Sequence, residues 1–219
     1  MLRYLLFLAA FPGVLPASFV AELPPEDGVS SRAILELHED QGYVLRNSVR
    51  RESTGETTHY DDIGRWVVAS SGNGQQLVLR NGSAVEIVFR SDGPDRVIPL
   101  DQRGEPHRMA GKVVRLQRAT GLAFVEPQLF LNGTYVYMAD AGEFTECLTG
   151  WRMPVVMEGD HAALERAWLD ARAGPGEAMR VSLEGRIVWR PGPDGGKPRR
   201  MLVPVQMGRA WPGETCESP

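Results

Sequence analysis

The stretch that decides the fold of the C-terminal half spans residues 160–190 and reads DHAALERAWLDARAGPGEAMRVSLEGRIVWR. Its first part predicts a helix, because apolar residues recur at positions i, i+3, i+4 and i+7. These residues are Leu164, Ala167, Trp168 and Ala171. Asp160 can cap this helix, and Gly174-Pro175-Gly176 ends it.

The second part of this stretch predicts a long strand, since apolar and polar residues alternate over residues 179–190 and Gly185 favours a bend. A turn rich in glycine and proline follows at residues 191–196, and then a last strand near residues 201–205. Upstream of the helix, two further segments have strand character, residues 130–139 and 153–157. Strands, then one helix, then a hairpin is the order of an OB-fold, a five-stranded barrel.

The N-terminal half predicts a meander of short strands, because short alternating or apolar runs are separated by Gly, Asn and Asp. The predicted strands are residues 33–37, 43–49, 64–69, 75–80, 84–90, 97–100 and 112–116. The intervening turns supply positive φ values at Asp40-Gln41-Gly42, Ser71-Gly72-Asn73-Gly74, Asn81-Gly82 and Asp92-Gly93-Pro94. Short strands at such regular spacing favour a small barrel. Glu126-Pro127-Gln128 breaks the pattern, and we expect domains at residues 19–122 and 128–219.

Residues 1–18 have the pattern of a signal peptide. Arg3 precedes an apolar run at residues 4–11 that is too short to span a bilayer, and the small residues Ala17 and Ser18 offer a cleavage site. The residue upstream of that site matches poorly, so an uncleaved anchor or a buried first strand stays open. A lipoprotein needs a cysteine just after the apolar run, whereas the first cysteine is Cys147. We therefore expect a periplasmic, soluble protein without a lipid anchor.

Composition and motifs exclude several classes of function. The formal net charge is -4 and no long basic run is present, which argues against a nucleic-acid partner. The sequence has no Gly-x-Ser-x-Gly, no His-Glu-x-x-His and no glycine-rich phosphate loop. We expect a non-catalytic protein with no catalytic residues, cofactor or metal site.

The two cysteines, Cys147 and Cys216, predict a structural disulfide, because an exported protein folds in an oxidising compartment. The bridge would close a loop of roughly 70 residues, worth about 4 kcal/mol in the chain-entropy model. Two free, buried thiols are the alternative. A metal site is less favoured, since three of the four histidines, His38, His59 and His107, fall in the other domain.

Residues 131–141, LNGTYVYMADA, followed by residues 144–150, FTECLTG, closely resemble the C-terminal domain of the NlpE family. The resemblance continues through the helix at residues 164–172, the bent strand at 181–185 and the closing WPGETC at 211–216. It implies an OB-fold in which the cysteines of the first block and of the C-terminus are joined.

The N-terminal half resembles the same family more loosely. Phe19-Val20-Ala21-Glu22-Leu23-Pro24 is similar to its opening segment, and Leu35-Glu36-Leu37, Gly64-Arg65-Trp66 and Leu100-Asp101-Gln102-Arg103-Gly104 match later landmarks. The resemblance implies a small lipocalin-like barrel in an outer-membrane lipoprotein that reports envelope and copper stress to the Cpx sensor kinase. The family's Cys-x-x-Cys falls on Pro25 and Gly28 here, so copper binding is not carried over.

Three functional classes remain. An envelope stress-sensing or interaction protein, with a Cpx-type sensor kinase as possible partner, fits the resemblance best. A periplasmic carrier is the alternative, because a meander barrel can enclose an apolar cavity. Copper is a further option through thioethers of Met138, Met153, Met157, Met179, Met201 and Met207. We expect Met153, Met157 and Met179 to pack in the core instead. The sequence does not indicate binding residues or an oligomeric state.

Overall fold

A computed structural model describes residues 13–72, 74–171, 176–192 and 195–216. Most of the predicted signal peptide, residues 1–12, and part of the predicted helix end at Gly174-Pro175-Gly176 lie outside the described residues. The chain divides into two compact units between Ala123 and Phe124. Among the described residues, no helix combines the length and the hydropathy needed to cross a membrane.

The first unit is a closed barrel of eight strands in the order β1-β10-β7-β6-β5-β4-β3-β2. All neighbouring strands are antiparallel. The strands are β1 (Ala17–Glu26), β2 (Val29–Leu37), β3 (Gly42–Arg51), β4 (Thr57–Ser71), β5 (Gly74–Arg80), β6 (Ile87–Ser91), β7 (Arg96–Pro99) and β10 (Leu116–Arg118). Two short strands, β8 (Arg108–Met109) and β9 (Lys112–Val113), form a separate two-stranded sheet.

The barrel interior is filled by alternate residues of its strands, which is the period-2 pattern of a one-sided strand. Phe19, Tyr43, Trp66 and Phe89 are its largest buried members. Gly64 permits this packing, because a Cβ at this position would overlap the backbone oxygen of Arg80 and approach the Tyr43 ring. The Gly-x-Trp landmark therefore marks a close approach between β4 and β5.

The second unit is a closed barrel of five strands in the order β11-β12-β13-β15-β14. The strands are β11 (Gln128–Met138), β12 (Ala141–Glu146), β13 (Arg152–Val155), β14 (Met179–Arg190) and β15 (Arg199–Pro212). The β13–β15 pair is parallel and the others are antiparallel. Helix α1 (His161–Ala171) lies between β13 and β14 in sequence. This is the OB-fold, so the predicted fold class, mostly β with a small barrel and a one-helix OB-fold, is confirmed.

Helix α1 buries Leu164 and Trp168, two of the residues that predicted it. The indole Nε1 of Trp168 donates a hydrogen bond to the carbonyl of Glu177 at 2.7 Å, which satisfies its buried polar group. Asp160 accepts from the backbone nitrogens of Ala163 and Leu164 through its carbonyl, as an N-cap residue does. Its carboxylate instead accepts from the backbone nitrogen of Met207 in β15, at 2.8 Å, and so ties the helix start to the barrel.

Several sequence predictions differ from the structure in their boundaries. The predicted strand at residues 84–90 begins only at Ile87, because hydrogen bonds from Ser83 to Asn81 and Val85 hold the preceding residues in a turn. The predicted strand at 112–116 is divided: Val113 pairs with Arg108, whereas Leu116 pairs with Val97. The change of partner interrupts the strand.

The turn Asp40-Gln41-Gly42 supplies a positive φ, as predicted; it falls on Gln41 at 63°, because the Asp40 carboxylate accepts from the Gly42 nitrogen and closes the turn around Gln41. The prediction for one methionine was wrong. Met157 lies beyond the end of β13 and is 71% exposed, so it does not pack in the core.

Candidate functional site

The candidate site is the disulfide of the second barrel together with the two segments that it joins. Cys147 follows the last residue of β12, and Cys216 lies four residues beyond the end of β15. A disulfide joins the two residues, whose Cα atoms are 5.3 Å apart and which are separated by 69 positions in sequence. Both residues are partly exposed. A solvent-borne thiol or oxidant can therefore approach the bridge.

Cys147 is held in place by a turn built around the carboxylate of Glu146. This side chain is buried, and its Oε2 accepts hydrogen bonds from the backbone nitrogens of Leu148 at 3.1 Å and Thr149 at 2.7 Å. It also accepts from the Thr149 hydroxyl at 2.6 Å. Such donors offset the cost of burying a carboxylate. The backbone nitrogen of Cys147 donates to the carbonyl of Asn132 at 2.8 Å, which fixes the cysteine against β11.

Cys216 belongs to a closing segment, defined as residues 211–216. Trp211 and Pro212 still pair with β14, opposite Arg180 and Met179. The guanidinium groups of Arg180 and Arg209 each lie 5.3 Å from the centre of the Trp211 ring, within range of a cation–π interaction. Beyond Pro212, the carboxylate of Glu214 forms an ion pair with Arg180 at 3.2 Å. The side chains of Arg180 and Glu214 are 31% and 53% exposed. A pair this exposed contributes little to stability, so the disulfide is the strong link of the segment.

Sequence reasoning had singled out the cysteines but had given no role to Glu146, Arg180 or Arg209. The sequence does contain a pattern that could have indicated the role of Glu146. It is followed by Thr149 and Gly150, and a carboxylate in such a position can close a short turn by accepting from backbone nitrogens. The arginines could not be found this way, because their contact with Trp211 depends on the register between β14 and β15.

The pKa is raised for three tyrosines, the buried Tyr43 and Tyr135 and the partly exposed Tyr137. Burial, followed by the hydrogen bond to Asp62 and its charge, raises the pKa of Tyr43 far above the ordinary value. Burial, with smaller contributions from Glu165 and Tyr137, raises the pKa of Tyr135 in the same direction. For Tyr137, desolvation comes first and Glu165 adds to the rise in pKa. Raised values disfavour the phenolate, so these groups are poor candidates for bases.

The methionines do not converge on one place. Met153 and Met179 are fully buried in the core of the second barrel, as predicted, whereas Met138 and Met157 are 65% and 71% exposed. Within the described residues, no cluster of three or more His, Cys, Asp or Glu side chains is arranged to hold a metal ion.

The carrier alternative requires an apolar cavity, whereas aromatic and aliphatic side chains pack against one another inside the first barrel. An open depression of about 1000 Å³ lies outside this core, beside the β5–β6 connection. Its lining mixes polar residues, such as Glu86 and Asp101, with aliphatic ones, such as Val85 and Leu100. The depression is open to solvent, so it does not enclose a ligand as the interior of a carrier barrel does.

The chain is similar to known proteins over most of its length. A family model described as the NlpE C-terminal OB domain matches residues 125–217. The chain is similar to Lipoprotein NlpE of Escherichia coli (strain K12), with 30% identity over 204 residues, 93% of this chain and 82% of the relative. It is also similar to the crystal structure of the Cpx pathway activator NlpE from Escherichia coli, with 28% identity, 94% and 100% coverage, and a TM-score of 0.40.

Proposed function

The chain belongs to the NlpE family, and from this premise we propose that it is a non-catalytic sensor of cell-envelope stress that signals to a Cpx-type membrane kinase. Its disulfide-closed OB domain reports the redox state of the envelope. Membership of the family supports the link to envelope stress. We further assign the signal to the OB domain and the role of receiver to the kinase.

One observation carries the proposal: the bridge between Cys147 and Cys216 attaches the closing segment to the turn that follows β12. Forming the bridge removes two electrons and two protons from the two thiols, which an oxidant in the envelope must accept. A chain exported while that oxidant is lacking keeps both thiols. The state of the bridge therefore records the oxidising capacity of the compartment.

Without the bridge, residues 213–216 retain only weak attachment. The Arg180–Glu214 pair is partly exposed, and the loop-closure contribution of about 4 kcal/mol is lost. We expect residues 213–216 to detach and the surface that they cover to become available to the kinase. This surface includes Arg180, because its guanidinium group is the ion-pair partner of Glu214.

The test compares wild type with Cys147→Ser and with the double variant Cys147→Ser/Cys216→Ser. We expect both variants to unfold at lower temperature and to raise a Cpx-dependent transcriptional reporter. The double variant is the control for intermolecular disulfides, which a single remaining thiol can form. Wild-type thermal stability together with wild-type reporter output in both variants would show that the bridge carries no signal.

A pull-down from envelope extracts identifies the partner. We expect the kinase to be recovered with the double cysteine variant and much less with oxidised wild type. Equal recovery with both proteins would mean that the bridge does not control binding. The proposed site of action is the periplasm, after removal of the predicted signal peptide.

A further inference from the structure

A polar groove on the outer wall of the first barrel has the donors of an anion site. It has a volume of about 380 Å³ and crosses β1, β2, β3 and β4. Strand register places Glu22, Arg32, Ser48 and His59 in one row across the four strands. A second row, two residues along, contains Ser30, Arg50 and Thr57. All seven residues line the groove.

The two arginines of the groove are diagonal neighbours on adjacent strands. Arg32 is opposite Ser48, and Arg50 follows Ser48 by two positions on the same strand. Diagonal neighbours lie about 7–8 Å apart, with somewhat less between their Cβ atoms, so two guanidinium groups can reach one ligand between them. The Nε of Arg32 contacts the Glu22 carboxylate at 3.0 Å, whereas Arg50 forms no ion pair with any residue that the structure describes.

Hydrogen-bond donors exceed acceptors in this groove. The groove contains one carboxylate, that of Glu22. Its donors are two guanidinium groups, the imidazole of His59 and the hydroxyls of Ser30, Ser48 and Thr57. Ser48 and His59 are themselves linked, with the Oγ and Nδ1 atoms 2.9 Å apart. A tetrahedral oxyanion offers several acceptor oxygens in different directions, and arginine binds phosphate through paired hydrogen bonds.

We propose that this groove binds a phosphate group, with Arg50 as its principal ligand and Arg32 released from Glu22 as the second. The group can belong to a soluble phosphate ester or to the headgroup of an anionic lipid. The site lies in the first barrel and is independent of the disulfide and of the proposed signalling function.

The chain supplies a matched control for the test. Arg51 follows Arg50 on β3 but lies in a separate depression, with Val49, Glu56, Thr58 and Tyr60. Arg50→Gln and Arg51→Gln therefore remove the same charge from the two faces of one strand. Glu22→Gln is a third variant, which keeps the side-chain size and frees Arg32 from its carboxylate.

Binding of inorganic phosphate to the full-length protein is measured by calorimetry. Flotation with phosphatidylglycerol vesicles, compared with phosphatidylcholine vesicles, tests the lipid source. We expect Arg50→Gln to weaken binding about tenfold, Arg51→Gln to leave it unchanged, and Glu22→Gln to strengthen it. Arg50-dependent binding of inorganic phosphate supports the site with a soluble phosphate as its ligand. Arg50-dependent binding of phosphatidylglycerol vesicles alone supports the site with a lipid headgroup as its ligand. Equal losses in Arg50→Gln and Arg51→Gln, or no binding of either probe by wild type, would overturn the proposal.

Discussion

Glu146 shows at the scale of one residue how the site is held. Its buried carboxylate accepts hydrogen bonds from the Leu148 and Thr149 nitrogens and from the Thr149 hydroxyl, directly beside Cys147. Glu146→Ala leaves these donors without their acceptor, and we expect the free energy of unfolding to fall by about 2–3 kcal/mol. Denaturant unfolding measures the loss.

Glu143 is the matched control for this prediction. It lies on the same strand, β12, and forms an exposed ion pair with Arg152 at 2.6 Å. An exposed pair contributes about 1 kcal/mol or less, so Glu143→Ala should change stability much less than Glu146→Ala. Equal effects of the two substitutions would show that the buried turn is not what holds Cys147.

Asp101 explains a second landmark of the sequence and gives a pH prediction. Its carboxylate accepts hydrogen bonds from the backbone nitrogens of Glu105 and Arg103, which lower its pKa below the ordinary value of 3.8. The charged form is favoured in the folded state, so the contribution is present above the unfolded pKa and is lost as pH falls through the folded pKa.

We therefore expect the Asp101 carboxyl carbon to titrate in NMR with a midpoint below 3.8, and the amide protons of Arg103 and Glu105 to shift in step. In Asp101→Asn these amide shifts should lose that titration. A midpoint at or above the ordinary value would show that the turn does not depend on the charge.

At the scale of whole elements, β1 overlaps the end of the predicted signal peptide. The strand begins at Ala17, and both Ala17 and Ser18 are buried and pair with Leu37 and Glu36. The carbonyl and hydroxyl of Ser18 also accept from the backbone nitrogens of Ala119 and Ala123. Cleavage after Ser18 would remove all of these contacts.

We accordingly expect a chain that starts at Phe19 to be less stable than one that starts at Gly13, by about 2 kcal/mol or more. Thermal unfolding of the two chains tests this, and mass spectrometry of the exported protein gives the natural start. A mature protein that starts at Phe19 and is as stable as the longer chain would contradict the assignment of Ala17 and Ser18 to the barrel.

The elements that the sequence predicted well are those with a clear period. Alternation marked β5 and β14, and helical spacing marked α1. Strand β1 was missed because its apolar start adjoins the signal-like run and Pro24-Pro25 interrupts its end. Strand β12 was missed because Gly142, Glu143 and Thr145 give it little β character.

The length of β15 and the contacts of Trp211 depend on how β15 pairs with β14, and not on the local sequence pattern. The strand was predicted near residues 201–205 but continues to Pro212. Gly208 and Arg209 hide the alternation, and the register with β14 shifts twice along the pair. The same register brings Arg180 and Arg209 to Trp211, so half of the candidate site could not be derived from spacing alone.

For the whole molecule, the division into two compact units limits how far loss of the disulfide can act. Both cysteines belong to the second unit, and the first unit has its own core around Phe19, Tyr43 and Phe89. Opening the bridge removes a constraint from β12 and the closing segment only. Local opening of this kind is measured by amide hydrogen exchange.

In Cys147→Ser/Cys216→Ser we expect faster amide exchange at the end of β15 and in the Glu146–Trp151 turn, and wild-type exchange in β2, β3 and β5 of the first barrel. The reason is that the first barrel is closed by pairing among its own strands. Wild type under a thiol reductant should reproduce the pattern of the variant. If protection falls equally in both barrels, the bridge stabilises the chain as one cooperative body, and a signal confined to the closing segment is ruled out.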